Sequence, residues 1–348
     1  TPSERELVII PASHTSLPKK KQYTEPTQMR AAIRPGFFGG NLPSLSTTQA
    51  KPIFTPSTNP NDVLVKVKSA AINPVDYKLP KFVAGPIFGL DFSGVVENVG
   101  ESVTDFAIGD AVFGTTPTGS LADYTVVDTK RIAKFREEDW SFLEAAALPT
   151  AYVTSLQGLK VGKVSEGSSV LIIGASGGCG LAAVHLAKAM GADRIIAICS
   201  GKNAQLVTEA GATEVVYYNR NETLQAFFDE NEGKIQCVYD AATGSGRGEE
   251  YTETSMSLLI PDSGEYVQLN GSTSVWVKGL MLKRLAQHQH LIVTDMNTAD
   301  LEEVLLSLKE INVKPLMNVM PFTEEGIKEG FDLLKSRRTK GKIVFDLS

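Results

Sequence analysis

The chain has 348 residues, 42% hydrophobic and 21% charged, with a formal net charge of -6. That length holds about two domains whose cores stand without disulfides. The acidic balance argues against nucleic acid as the main partner, and no apolar run reaches the roughly 20 residues of a bilayer span, which leaves surface association open.

Residues 1–28 carry Lys19, Lys20 and Lys21, scattered prolines and little periodicity. They read as a surface-draped N-terminal extension, or as what remains after an organelle-targeting segment is removed. From 29 to 153 short strands and frequent turns predict a β-rich domain. DVLVKVKSAAI, ending just before Asn73, alternates apolar and polar positions as a half-buried strand does. GVVENVG (94–100), DAVFG (110–114) and ADYTVVD (122–128) follow, after a loop by composition at TPSTNPN (55–61).

The rhythm then changes. SVLIIGA (169–175) is a continuous apolar strand of the kind covered on both faces. GLAAVHLAKAM (180–190) predicts a helix stopped by Gly191, RIIAICS (194–200) a strand, and NAQLVTEA (203–210) a helix closed by Gly211. EVVYYN (214–219) predicts a strand, and ETLQAFFDE (222–230) a helix capped by Asn221. IQCVYDAA (235–242), GEYVQLNG (264–271) and HLIVTD (290–295) complete the strands. Alternation of this kind implies a parallel sheet with helices on both faces. From about 297 the pattern shifts again, to a helix (300–310), KPLMNVMPF, a second helix (324–336) and a closing strand that returns to the first domain.

Between the first of these strands and its helix lies Gly174-Ala175-Ser176-Gly177-Gly178-Cys179-Gly180. A glycine-rich turn between a strand and a helix is where a dinucleotide's pyrophosphate meets the backbone and the positive end of the helix dipole. Gly174, Ser176, Gly177, Gly178, Cys179 and Gly180 are therefore the expected phosphate cradle. The next strand runs into Ser200, Gly201, Lys202 and Asn203 without an Asp or Glu. NAD-preferring folds place an acid there for the ribose 2′-hydroxyl, and a carboxylate would repel a 2′-phosphate. Ser200 to hydrogen-bond that phosphate, Lys202 to neutralise it and Tyr218 to pack beside the adenine ribose predict NADPH over NADH.

Cys179, Cys199 and Cys237 are the only cysteines, and none forms a CxxC pair. They read as buried free thiols in a reducing compartment.

INPVDYK (72–78), GLDFSGVVENVG (89–100), FAIGDAVFG (106–114), GSLADYTVV (119–127), AAALPTAYVTSLQGL (145–159), GASGGCG (174–180) and TKGKIVFDL (339–347) resemble the medium-chain dehydrogenases/reductases, in their zinc-free, quinone oxidoreductase-like branch. The resemblance implies an α/β fold in which a doubly wound Rossmann domain is inserted in a GroES-like β-rich catalytic domain. The expected limits are an extension at 1–28, the first part of the catalytic domain at 29–153, the Rossmann NADP-binding domain at 154–296, and the return at 297–348. Zinc-dependent relatives place a cysteine ligand near Asn73-Pro74 and Gly-His-Glu where this chain has Gly89-Leu90-Asp91. Here no cysteine precedes Cys179, and His14, His185, His288 and His290 lie outside the matching motifs, so no catalytic zinc is expected.

The resemblance also implies a site between the domains, beside Asn73, Asp76, Tyr77 and Lys78. There Asn73 orients the nicotinamide or substrate, Asp76 anchors Lys78 or the loop, and Lys78 donates to an oxyanion or shields it. Tyr77 is a proton donor or a packing residue. Thr150 is expected near the nicotinamide, Asn270 at its cofactor contact, and Asp91 and Asp110 as fold-supporting carboxylates. The implied activity is a metal-independent, NADPH-dependent reduction of a quinone or an α,β-unsaturated carbonyl by a soluble homodimer in the cytoplasm, plastid or mitochondrial interior. The alternatives are an NADPH-binding structural or partner subunit and an enoyl-thioester reductase. The segment LPKFVAGPI weighs against the last, because it lacks the tyrosine that mitochondrial enoyl-thioester reductases carry there.

Overall fold

The computed structural model describes residues 27–34, 43–78, 85–243, 251–282 and 285–348. Residues 1–26 and 79–84, on which the extension and the missing tyrosine rest, lie outside the described residues.

The chain opens with β1 (Gln28–Ile33) and β2 (Ser44–Ala50), an antiparallel pair. Then come β3 (Asp62–Ile72), α1 (Pro74–Lys78), β4 (Asp91–Val99), β5 (Ala111–Thr115), β6 (Tyr124–Asp128) and β7 (Ile132–Lys134). Two helices follow, α2 (Phe142–Ala146) and α3 (Pro149–Val161). The alternating part runs β8 (Ser169–Ile173), α4 (Gly178–Ala189), β9 (Arg194–Cys199), α5 (Ala204–Ala210), β10 (Glu214–Tyr217), α6 (Asn221–Glu230), β11 (Cys237–Asp240), α7 (Thr252–Met256), β12 (Glu265–Gln268), α8 (Thr273–Trp276) and β13 (Gln289–Leu291). The chain closes with α9 (Thr298–Glu310), β14 (Met317–Pro321), α10 (Glu324–Ser336) and β15 (Lys342–Asp346).

One sheet has the order β10-β9-β8-β11-β12-β13, all parallel. This is the doubly wound Rossmann arrangement, with its reversal of order between β8 and β11. The other sheet runs β14-β15-β3-β4-β5-β7, with β6 also paired to β3. The two strands at one end, β14 and β15, come from the last part of the chain, so the GroES-like domain is interrupted by the Rossmann domain and completed after it. The fold class expected from the sequence is the one observed.

From Val170 to Ile173 β8 is apolar because it faces two cores. Val170 and Ile172 pack with α3, α4 and α9, through Leu156, Leu181, Leu301 and Val304 among others. Leu171 and Ile173 point the other way, to Phe227, Phe228 and Tyr266. Successive side chains of a strand alternate faces, so no polar position is left between Val170 and Ile173. Each such buried aliphatic contributes roughly 1.5–3 kcal/mol.

Three local readings are corrected. α3 was not anticipated: Pro149, Ala151, Tyr152, Val153, Ser155, Leu156 and Leu159 are all buried, so only a narrow polar edge with Gln157 and Lys160 is left from which its 3.6-residue period would be read. The strand expected over 290–295 pairs only to Leu291, because the chain is then drawn to α3. Thr294 Oγ1 lies 2.6 Å from Thr154 Oγ1, and the Asp295 N–H donates to Gln157 Oε1 at 3.0 Å. Asn221 is the first residue of α6 rather than its cap, and Arg220 holds the cap position without a side-chain bond.

Candidate active site

The turn after β8 is tied to the sheet by the Gly174 and Ala175 N–H groups, which donate to Ile198 O at 3.1 and 3.2 Å. α4 begins at Gly178 with Gly177 as its cap and no side-chain capping bond. The first N–H groups of the helix are thus left for a ligand. A Cβ on Gly180 would lie 2.2 Å from Gly174 O, so this glycine is needed for close helix–strand packing. A Cβ on Gly177 would meet only Gly174 O, at 3.5 Å. The protein does not itself need the space above Gly177, and a pyrophosphate fits there. Cys179 is part of the framework: its carbonyl accepts from Ser155 Oγ at 2.9 Å, and burial pushes its thiol up to about 11.

Beside the turn, Ser176 Oγ accepts from Asn203 Nδ2 at 2.8 Å. Asn203 is buried and its Oδ1 has no hydrogen-bond partner. A buried acceptor without a donor is costly, and a ligand hydroxyl placed here would satisfy it. The ends of β9 and β10 are paired at Cys199 and Tyr217, so Ser200 and Tyr218 leave the sheet side by side. Ser200 is buried, whereas Lys202 and Tyr218 are exposed. Sequence reasoning missed Arg220, whose guanidinium lies over the Tyr217 ring, 5.0 Å from its centroid. Its signal was a cation two residues beyond Tyr218.

The other half of the site is a buried polar network at the ends of β3, β4 and β15. Lys342 Nζ donates to Asn73 Oδ1 at 2.5 Å and to Asp91 Oδ2 at 3.0 Å. Asn73 Nδ2 donates to the same Asp91 oxygen at 2.9 Å. The second Asp91 oxygen accepts from the Thr150 N–H at 3.2 Å and from the Thr150 hydroxyl. Lys342 is 5% exposed and Asp91 is fully buried. Lysine only donates and an ionised carboxylate only accepts, so chemistry fixes which end of the Asn73 amide faces which partner. The network brings Asn73 and Thr150 together, with Asp91 as their common anchor.

Asp76 lies one turn away, and its Oδ2 accepts from the Asn73 N–H at 2.7 Å. Burial pushes the Asp76 carboxyl up to about 7, opposed by the Asn73 N–H and reinforced by Asp91. Arg34, which the sequence did not single out, is buried over the Phe88 ring at 3.9 Å and donates to the Asp76 carbonyl at 2.5 Å. Lys78 is not in this network; it is exposed at the end of α1, and desolvation and Arg337 hold its ammonium below the usual range. Tyr77 packs partly buried against the catalytic-domain core. Asn270 follows β12 and accepts from Trp276 Nε1 at 3.2 Å. Asp110 accepts from the Ala107 N–H at 2.9 Å, a loop bond within the fold.

The candidate ligands among the described residues are engaged elsewhere. Among the described residues no three His, Cys, Asp or Glu side chains converge to hold a metal ion. Asp91 is held by Lys342, Asn73 and Thr150, and Cys199 and Cys237 are buried in the Rossmann sheet. His185 bonds Tyr152 at 3.0 Å, and His290 bonds Glu265 at 2.7 Å. Also among the described residues, no helix is long and apolar enough to cross a membrane.

Comparison with known proteins accords with this architecture. The profile of the alcohol dehydrogenase GroES-like domain matches residues 59–137, and that of the zinc-binding dehydrogenase family matches residues 210–345. The chain is 31% identical over 317 residues to the 2-methylene-furan-3-one reductase of Solanum lycopersicum, covering 84% of this chain and 73% of that protein. It is 28% identical over 344 residues to the chloroplastic NADPH-dependent alkenal/one oxidoreductase of Arabidopsis thaliana, covering 92% and 80%. The solved quinone oxidoreductase from Coxiella burnetii superposes with a TM-score of 0.76 at 25% identity, over 92% of this chain and 100% of that one.

Proposed function

The chain belongs to the medium-chain dehydrogenase/reductase superfamily, whose quinone and alkenal oxidoreductases are its relatives, and from that premise we propose that it is a metal-independent, NADPH-dependent reductase of α,β-unsaturated carbonyls or quinones. The observation that carries this reading is the adjacency of two halves. The glycine turn that suits a dinucleotide abuts Lys342, and Lys342 bonds Asn73 of the other domain.

When bound, NADPH supplies a hydride from the nicotinamide C4 to the β-carbon of the conjugated acceptor, and the electron pair displaced from the double bond moves to the carbonyl oxygen. The N-terminus of α4 and the open face of Gly177 bind the pyrophosphate. Ser200, Lys202 and Arg220 take the 2′-phosphate, and no carboxylate follows β9 to repel it. Asn73 has one amide hydrogen beyond the bond to Asp91, and Lys78 stands exposed at the end of α1. These are the donors for the developing oxyanion. A proton from solvent then completes the reduced product. Asp76 holds the Asn73 backbone and so fixes the loop.

The same reading has two copies pairing through β13, the edge strand of the Rossmann sheet. Chloroplastic relatives and three free thiols support a reducing compartment such as the plastid interior. The test is a panel of enones, alkenals, enoyl thioesters and quinones, assayed with NADPH and NADH side by side. Turnover of enones or quinones that prefers NADPH is the expected result. Tight NADPH binding with no turnover would instead favour a non-catalytic partner subunit.

A further inference from the structure

Lys342 is the first residue of the last strand, and its only neighbour in the motif logic of the sequence was the closing GKIVFDL run. In the fold its stem lies along the first turn of α4: the Lys342 Cδ is 3.4 Å from where a Cβ on Gly178 would stand. Its ammonium is buried on the far side, bonded to Asn73 and Asp91. One side chain therefore touches the coenzyme turn of one domain with its carbons and the catalytic loop of the other with its charge.

We propose that Lys342 is a positioning residue for the nicotinamide end of the site, acting through Asn73. The inference rests on the NADPH reading above. The Lys342 donor fixes Asn73 Oδ1 toward itself, and Asp91 fixes Asn73 Nδ2. The amide then has a single orientation, and its remaining N–H points away from both partners. Without the ammonium the amide is free to turn, and Asp91 is left as a buried charge without its counterion. Loss of position and loss of charge balance must therefore be separated by experiment.

The full chain is titrated with NADPH and with 2′-phospho-ADP-ribose, which lacks the nicotinamide. The wild type binds NADPH more tightly than the fragment. Lys342→Met combined with Asp91→Asn removes both charges, so the pair is replaced rather than broken. This variant is expected to lose at least tenfold of the preference for NADPH while its fragment Kd stays within threefold, which also reports an intact fold. Asn73→Ala leaves the Lys342–Asp91 ion pair in place and is expected to lose the same preference. Adding the neutral pair Lys342→Met and Asp91→Asn to Asn73→Ala is expected to cost nothing further, since residues acting through one another are not additive. A preference retained in the neutral pair or in Asn73→Ala overturns the proposal, as do losses that multiply, or a wild type that binds NADPH and the fragment equally. A wild type that binds neither molecule fails at the earlier step and overturns the coenzyme reading itself.

Discussion

Gly177 and Gly341 form a parallel bridge, and the Gly341 N–H donates to Ser176 O at 3.4 Å. The coenzyme turn of the Rossmann domain is thereby hydrogen-bonded to the segment that leads into the last strand of the catalytic domain. The two domains meet by backbone at this bridge, and Lys342 follows directly.

Gly341 has φ +66, and a Cβ there would lie 2.1 Å from Leu316 O. Both the left-handed backbone and the close carbonyl exclude a side chain. Gly341→Ala is expected to cost about 1–3 kcal/mol of stability and to weaken NADPH binding, because Ser176 loses its support. Denaturant unfolding and coenzyme titration on the same preparation check both effects. Unchanged stability would show that the bridge bears no strain.

Gly177 and Gly180 separate packing from binding. Gly180→Ala places a methyl group on Gly174 O and is expected to lose about 1–3 kcal/mol. Gly177 has φ -80 and open space at its Cβ. Gly177→Ala is expected to fold as the wild type does and to bind NADPH about tenfold more weakly, roughly 1.4 kcal/mol. Thermal melts with and without NADPH distinguish the two. An alanine at 177 that leaves binding intact would place the pyrophosphate elsewhere.

Ser200→Asp introduces the acid that the end of β9 lacks. Repulsion of the 2′-phosphate and loss of a charge-assisted bond of about 1.5–3 kcal/mol predict a KM for NADPH raised roughly 10- to 100-fold, with NADH unchanged or improved. Steady-state kinetics with both coenzymes measures the ratio. An unchanged ratio would remove Ser200 from the specificity site.

Two buried groups give opposite pH dependences. Asp76 is raised from 3.8 to about 7, chiefly by burial. Between those values the folded state keeps a proton that the unfolded chain has released, so this contribution to stability falls as pH rises. His185 is lowered from 6.5 to about 4 by burial, with Lys188 adding. Over that window the unfolded chain holds the extra proton, so stability rises with pH. The two slopes cancel in the wild type. Asp76→Asn is expected to expose the rise, up to about 1.4 kcal/mol per pH unit, and His185→Gln to expose the fall. Denaturant unfolding across this pH range reads both slopes. Parallel curves for both variants and the wild type would refute the assignment.

Burial pushes the thiols of Cys179 and Cys199 up to about 11, and that of Cys237 higher still. Only the thiolate reacts, so alkylation of the native protein at mildly alkaline pH is expected to be about a hundredfold slower than after unfolding. Mass spectrometry of the labelled chain locates any exception. Rapid labelling of Cys179 would mean that the glycine turn is open to solvent at its sulfur.

The amino-acid sequence alone determined what local chemistry determines. The strand–glycine–helix turn from Val170 to Leu186, the alternation that makes a parallel sheet, and the uncharged ending of β9 are all written within a few residues of one another. Their physics is local: backbone space, helix dipole and side-chain period. α3 escaped because a helix buried over most of its surface leaves only a narrow polar edge to count. The contact of Lys342 with Asn73 and Asp91 escaped for a different reason. The lysine is 269 positions from the asparagine and 251 from the aspartate, and only closure of β15 onto β3 brings them into contact. A lysine that reads as one more surface cation in the chain becomes a buried counterion once the fold excludes water from it, and that exclusion belongs to the tertiary structure.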